Sequence, residues 1–257
     1  MELMKIDYTC VPDELASYVL REGLVKPFML LLYLKLSTSG IFNDFFLNRK
    51  QICQALGISD IRTINKYLLK LIQLGWLGYN ASNGNYWIRS YRAICRMLLI
   101  KTKKLICVWF DDLKHLKYLL STGLISLKLK ELDRKRKYYL KKRAGQSALK
   151  KGNALPIAKS FGLRDYFGLS NSQIAKLLGC SKSEANRIKL RAIELNYMIA
   201  NKKNKFIVAT DDIYTFFKMG YMKNSERYFT QLRNGKVFLY ERQTDELICF
   251  VHTRVRH

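Results

Sequence analysis

The stretch Asn48-Arg-Lys-Gln-Ile-Cys-Gln-Ala-Leu-Gly57-Ile-Ser59 carries its own start and stop signals. Asn48 is a helix cap, and Gln51, three residues on, closes a capping box. Gly57 ends the helix, because glycine takes a left-handed conformation without strain. Ile58 plugs the angle before a second helix. Ser59 is read as the cap of that helix, with Asp60 well placed near its positive end. Along it Ile61, Ile64, Leu68, Leu71 and Ile72 recur three to four apart and form an inward stripe. The outward face carries Arg62, Thr63, Asn65, Lys66 and Lys70.

The pattern returns in the second half as Ser170-Asn-Ser-Gln-Ile-Ala-Lys-Leu-Leu-Gly179-Cys-Ser181. Gln51, Ile52, Leu56, Gly57 and Ser59 recur as Gln173, Ile174, Leu178, Gly179 and Ser181, all at one spacing. Ser170 with Gln173, and Ser181 with Glu184, read as further capping boxes. Ala185, Ile188, Ala192 and Leu195 form the inward stripe of the following helix. Lys182, Ser183, Asn186, Arg187, Lys189 and Arg191 face outward.

Hairpin signals follow each copy. After Gly75, Trp76-Leu-Gly-Tyr79 and Tyr86-Trp-Ile-Arg-Ser-Tyr91 flank Asn80-Ala-Ser-Asn-Gly-Asn85, whose turn centres on Asn83-Gly84. Asn196 takes the helix-stop role of Gly75 in the second copy. There Tyr197-Met-Ile-Ala200 and Phe206-Ile-Val-Ala209 flank a basic tip, Asn201-Lys-Lys-Asn-Lys205. An apolar first helix over residues 26–36, with a short strand at Phe45-Phe46-Leu47, precedes the first copy, and a helix within 155–167 is expected before the second.

These residues resemble the winged helix-turn-helix superfamily of DNA-binding proteins, over about residues 26–91 and 155–209. Two such modules joined by a central segment are similar in architecture to the plasmid replication initiator proteins. The resemblance implies that the N-terminal half of each recognition helix enters a major groove. Arg62, Asn65, Lys66, Lys182, Asn186 and Arg187 then contact bases, with asparagine suited to adenine and arginine to guanine. Lys70, Lys189, Arg191 and the wing lysines Lys202, Lys203 and Lys205 hold phosphates. Arg134, Lys135 and Arg136, in the basic run between the modules, are read as further phosphate contacts.

Charge points the same way. The 257 residues include 46 Lys and Arg against 20 Asp and Glu, a formal net charge of +26. Such a chain repels itself, and a polyanionic partner relieves the repulsion. Nucleic acid fits best, ahead of an anionic membrane surface or an acidic protein. No two of the six cysteines form a CxxC pair, and His115, His252 and His257 stand near none of them, so zinc-finger spacing is absent. A reducing, cytoplasmic setting is expected. No signal peptide is visible, and apolar runs such as Phe28-Met-Leu-Leu-Leu-Tyr-Leu34 are far below membrane-spanning length. The phosphate-binding, zinc-protease and serine-hydrolase signatures GxxxxGK[ST], HExxH and GxSxG do not occur. No catalysis, metal, cofactor or small-molecule substrate is therefore expected.

The expected fold is α+β, with two winged-helix modules. Residues 1–25 form a lead-in, 26–91 the first module, 92–153 a basic connector with a helix, 154–209 the second module, and 210–257 a short helix with a β-meander. In the connector, residues 96–100 and 105–110 read as two strands or one broken helix. In the tail, a helix at 212–218 precedes strands at 227–232 and 237–241, joined through Asn234-Gly235, and a third at 247–254. The expected function is sequence-selective binding of double-stranded DNA without catalysis, in replication initiation or transcription control of a plasmid, phage or mobile element. A homodimer is left open. The alternatives are a nucleoid or virion protein that coats nucleic acid, and a basic module with an acidic protein partner.

Overall fold

Strand β1 (Tyr8–Pro12) leads into α1 (Asp13–Arg21), whose Asp13 and Glu14 lie in the first turn and Arg21 in the last, as the helix dipole favours. The computed structural model describes residues 8–43, 48–101, 104–148, 168–202, 204–214, 228–242 and 244–255, with the backbone alone at 140–148, 205 and 255. Helix α2 (Val25–Ser37) buries Phe28, Met29, Leu30, Leu31, Leu32, Leu34 and Leu36. A helix apolar on every side belongs at the centre of a core. Next come β2 (Ile41–Asn43), α3 (Arg49–Leu56), α4 (Ile61–Gln73), β3 (Leu77–Asn80) and β4 (Asn85–Ile88). The last two form the expected hairpin, and β2 pairs with the outer side of β4 to give the order β2-β4-β3.

The segment after it is one helix and one strand, not two strands or a broken helix. Helix α5 (Tyr91–Met97) is capped by Ser90, whose hydroxyl accepts from the Ala93 amide at 3.2 Å. Strand β5 (Lys104–Trp109) is the middle of a three-stranded antiparallel sheet, with β1 on one side and β11 (Thr253–Val255) on the other. A 3-10 turn (Phe110–His115) then enters α6 (Leu116–Ala148), 33 residues long. The expected connector is thus only half a connector. Residues 119–127 of α6 are all buried, while Arg134, Lys135, Lys137, Tyr138 and Tyr139 are exposed. Gly123 allows the close approach: a Cβ there would stand 2.6 Å from Cγ2 of Ile106 on β5.

Beyond it lie α7 (Asn171–Leu178), α8 (Lys182–Glu194), β6 (Met198–Asn201), β7 (Asn204–Thr210), β8 (Tyr228–Arg233), β9 (Lys236–Arg242) and β10 (Glu246–Cys249). Two expectations are corrected here. Strands β6 and β7 were expected to form a wing together, but β6 pairs with β10 and β7 with β9. The C-terminal meander does not form either. Its first two strands make the expected hairpin through Asn234-Gly235, both at positive φ, but the third place is taken by β7. The expected third strand divides into β10 and β11, which serve two other sheets. The expected helices within 155–167 and beyond residue 214, the strand at Phe45-Phe46-Leu47, and Lys203 lie outside the described residues.

The described residues fall into two compact units. One holds those within Met1–Glu131, Asn171–Met198 and Cys249–His257, the other those within Leu132–Ser170 and Ile199–Ile248. Both helix-turn-helix copies therefore lie in the same unit, and the strands expected to complete the second belong largely to the other. Within the first unit α7 and α8 are tied to the N-terminal half of the chain. The Arg21 side chain covers Gly179, where a Cβ would come within 2.7 Å of its Cγ. Lys117 Nζ donates to Glu184 Oε1 at 2.6 Å, and Tyr197 Oη donates to Asp112 Oδ1 at 2.8 Å. Among the described residues no helix is long and apolar enough to cross a membrane.

Candidate nucleic-acid interface

The first helix pair starts and turns as its sequence dictates. Asn48 Oδ1 accepts from the Gln51 amide at 3.1 Å, and Gly57 ends α3 at φ 63°. The cap of α4, however, is Asp60 and not Ser59: Asp60 Oδ1 accepts from the Arg62 amide at 2.8 Å. In the second copy Ser181 is the cap, as expected, with its hydroxyl accepting from the Glu184 amide at 3.1 Å. The turn from glycine to cap is thus one residue longer in the first copy. Counting from the caps, Asn65 corresponds to Asn186, Lys66 to Arg187, Leu69 to Leu190 and Lys70 to Arg191. The match continues to Gly75 and Asn196, both at positive φ.

One tie recurs in both copies. Arg49 Nε, at the start of α3, donates to Asn65 Oδ1 at 2.8 Å. Asn171 Nδ2, at the start of α7, donates to Asn186 Oδ1 at 3.1 Å. Each asparagine thus locks the first helix of its pair to the second. Its carbonyl keeps one lone pair and its amide both donors, so the inventory for a bidentate adenine contact survives.

The two outward faces differ electrically. On α4, Arg62, Asn65, Lys66 and Lys70 are all exposed, and Ile61–Gln73 contains no acidic residue. Among the described residues no carboxylate pairs with Arg62, Lys66 or Lys70. These groups line an open cleft of about 780 Å³ between α4 and the turn joining α1 to α2. Lys26, at the start of α2, adds a fourth cation, and no carboxylate is among the lining residues. Sequence reasoning passed over Lys26 because it sits in an otherwise apolar helix. The cleft also holds Leu69, 61% exposed in the middle of the cationic face.

On α8, Lys182, Arg187 and Arg191 are exposed, while Asn186 and Lys189 are half-buried. Arg187 is ion-paired with Glu184, which also holds Lys117, and Arg191 Nη1 lies 2.6 Å from Glu194 Oε2. On the second face the two arginines are therefore ion-paired within their own helix, whose four cations stand against two carboxylates. The remaining expected phosphate contacts lie in the other unit. There Lys202, Arg134 and Lys135 are exposed and Arg136 is half-buried; Lys205 is placed on β7 by its backbone. The structure brings Arg62, Asn65, Lys66 and Lys70 onto one surface and Lys182, Asn186, Arg187 and Arg191 onto another.

No family model, no curated protein and no solved structure matches the chain.

Proposed function

We propose that the protein binds double-stranded DNA selectively, with α4 as its reading helix. In this reading α2, α3 and α4 with the β3–β4 hairpin form a winged helix, and α4 lies in a major groove. The observation that carries it is the α4 face: exposed cations, none paired to a carboxylate, in a chain of net charge +26. A major groove is about 12 Å wide and admits one helix. Arg62, nearest the N-terminal end, reads a base with Asn65 and Lys66, while Lys70 and Lys26 hold backbone phosphates. The α8 face, with its arginines already engaged by Glu184 and Glu194, serves as the weaker second contact through Lys182, Asn186 and Arg187, with Lys189 and Arg191 toward the backbone. Replication initiation or transcription control of a mobile element is the use this arrangement suits.

The experiment is selection of bound duplexes from a random pool, followed by affinity measurement across a salt series. A motif should emerge, and affinity should fall steeply with salt as phosphate contacts release counterions. Lys70→Ala should weaken all sequences alike and lower the salt slope by about one contact. Arg62→Ala should relax preference at one base, a loss of roughly 1–3 kcal/mol. Unchanged binding by a combined Arg62→Ala, Lys66→Ala, Lys70→Ala variant would sink the assignment. An absence of enrichment would favour the coating role. Exposed Leu69 supports a second reading, in which the cleft takes an acidic protein segment; Leu69→Ser separates the two, since it leaves the phosphate contacts in place.

A further inference from the structure

Strands β1 and β5 set Cys10 directly opposite Cys107. The Cys107 amide donates to the His252 carbonyl at 2.9 Å, on the side away from β1. In an antiparallel strand the N–H and C=O of one residue point to the same neighbour. Cys10 and Cys107 therefore form a non-hydrogen-bonded pair, the closer of the two classes, with Cα atoms about 4.5 Å apart. Their Sγ atoms are 3.3 Å apart. A disulfide needs Cα atoms roughly 4.4–6.8 Å apart and sulfurs near 2.05 Å. The backbone thus already stands where a bridge requires it, and only a small side-chain rotation separates the thiols from bonding.

Access is one-sided. Cys107 is 3% exposed, whereas Cys10 is half-buried and lines a cleft of about 380 Å³. Arg92 and Arg96, both exposed on α5, line the same cleft, and none of its lining residues is acidic. Cys95 lines the cleft as well but is only 6% exposed, so an incoming group that carries carboxylates meets two guanidinium groups beside the more accessible Cys10 sulfur.

We propose that Cys10 and Cys107 form a thiol–disulfide exchange site that accepts a small, carboxylate-bearing disulfide from the cleft. The Cys10 thiolate attacks one sulfur of that disulfide. The S–S bond breaks, one half leaves as a thiolate and takes up a proton, and Cys10 is left in a mixed disulfide. Cys107 then attacks the Cys10 sulfur and expels the second half, which also takes up a proton. The two protein thiols lose two electrons and two protons, and the small disulfide gains both as two thiols. Burial and the neighbouring Cys10 push the Cys107 thiol up to about 11, which suits the order of attack. The bridge would staple the N-terminal strand to the centre of its sheet.

The test treats the full chain with oxidised glutathione and maps the products by mass spectrometry. An adduct should appear on Cys10 and convert to linked Cys10 and Cys107 peptides, reversed by dithiothreitol. Cys107→Ala should trap the adduct at Cys10, and Cys10→Ala should leave Cys107 unmodified. A double Arg92→Glu, Arg96→Glu variant lies on the surface and retains the sheet. It should react at least five times more slowly with oxidised glutathione, yet at the unaltered rate with neutral bis(2-hydroxyethyl) disulfide. Modification of Cys95 in the same cleft, or of half-buried Cys180 or Cys249, with none at Cys10 overturns the proposal. So does a failure to link Cys10 with Cys107, and equal slowing by both probes overturns the role of the arginines.

Discussion

Burial and the adjoining Cys10 hold the Cys107 thiol up at about 11, against an ordinary 9.0. Below pH 9 the group is neutral in the folded and unfolded chains alike. Between about 9 and about 11 the unfolded chain ionises while the folded chain does not, so rising pH favours unfolding across that window. Burial also raises the Cys249 thiol, to about 12, and acts with the same sign. The melting temperature should fall from pH 9 to pH 11, and fall less steeply for Cys107→Ala in the same scan. At this scale the sequence was a partial guide. Asn65 and Asn186 were legible as outward amides on the two helices, but at the one spacing of the repeated signature they fall one place apart, and they match only when counted from the caps Asp60 and Ser181. Their internal partners were not legible, because Arg49 and Asn171 are different residue types and share only a position at a helix start. The facing of Cys10 and Cys107 was not legible either, since nothing in a spacing of ninety-odd residues says that two cysteines stand opposite each other across strands.

Adjacent capping residues made the start of α4 ambiguous. Ser59 and Asp60 are both strong caps, and the choice depends on how many residues the turn needs after Gly57. The structure uses three, which selects Asp60, where the second copy uses two, which selects Ser181. Asp60→Ala and Ser181→Ala should each cost about 1 kcal/mol in urea denaturation, and Ser59→Ala a small fraction of that. The long helix α6 was half legible. Its cationic second half is visible as a charge run, but nothing local shows that residues 119–127 are enclosed on all sides. Ser121, Thr122 and Ser126 look polar in sequence yet are buried, and Gly123 among them is a site of close packing against Ile106. Strands show the same division. Alternation and Asn234-Gly235 locate β8 and β9 and their turn. Period-2 patterning identifies a strand without naming its partner, which is why β6, β7, β10 and β11 were assigned to the wrong neighbours.

The chain reads twice as helix, turn, helix, yet the two copies do not form separate units. The second helix pair shares a unit with the first, and its anchors come from afar: Arg21 over Gly179, Lys117 to Glu184, Asp112 to Tyr197. Its own buried stripe is small, with Ala185 and Ala192 on either side of Ile188. A fragment of residues 154–209 should therefore show no cooperative thermal transition by circular dichroism, whereas the full chain should. Repeats reveal local chemistry to a reader of sequence, but not which surfaces the copies bury. The sheet built on β5 adds a kinetic side to this. Its first neighbour is made early, yet Ile106 waits for Thr253, about 150 residues later, before its other edge is covered. At roughly 5–20 residues per second of synthesis, that edge stands open for on the order of ten seconds on the ribosome. A nascent chain this cationic, with an unpaired strand edge, is a natural client for chaperones, and slowing translation after β5 should lengthen the time it spends with them.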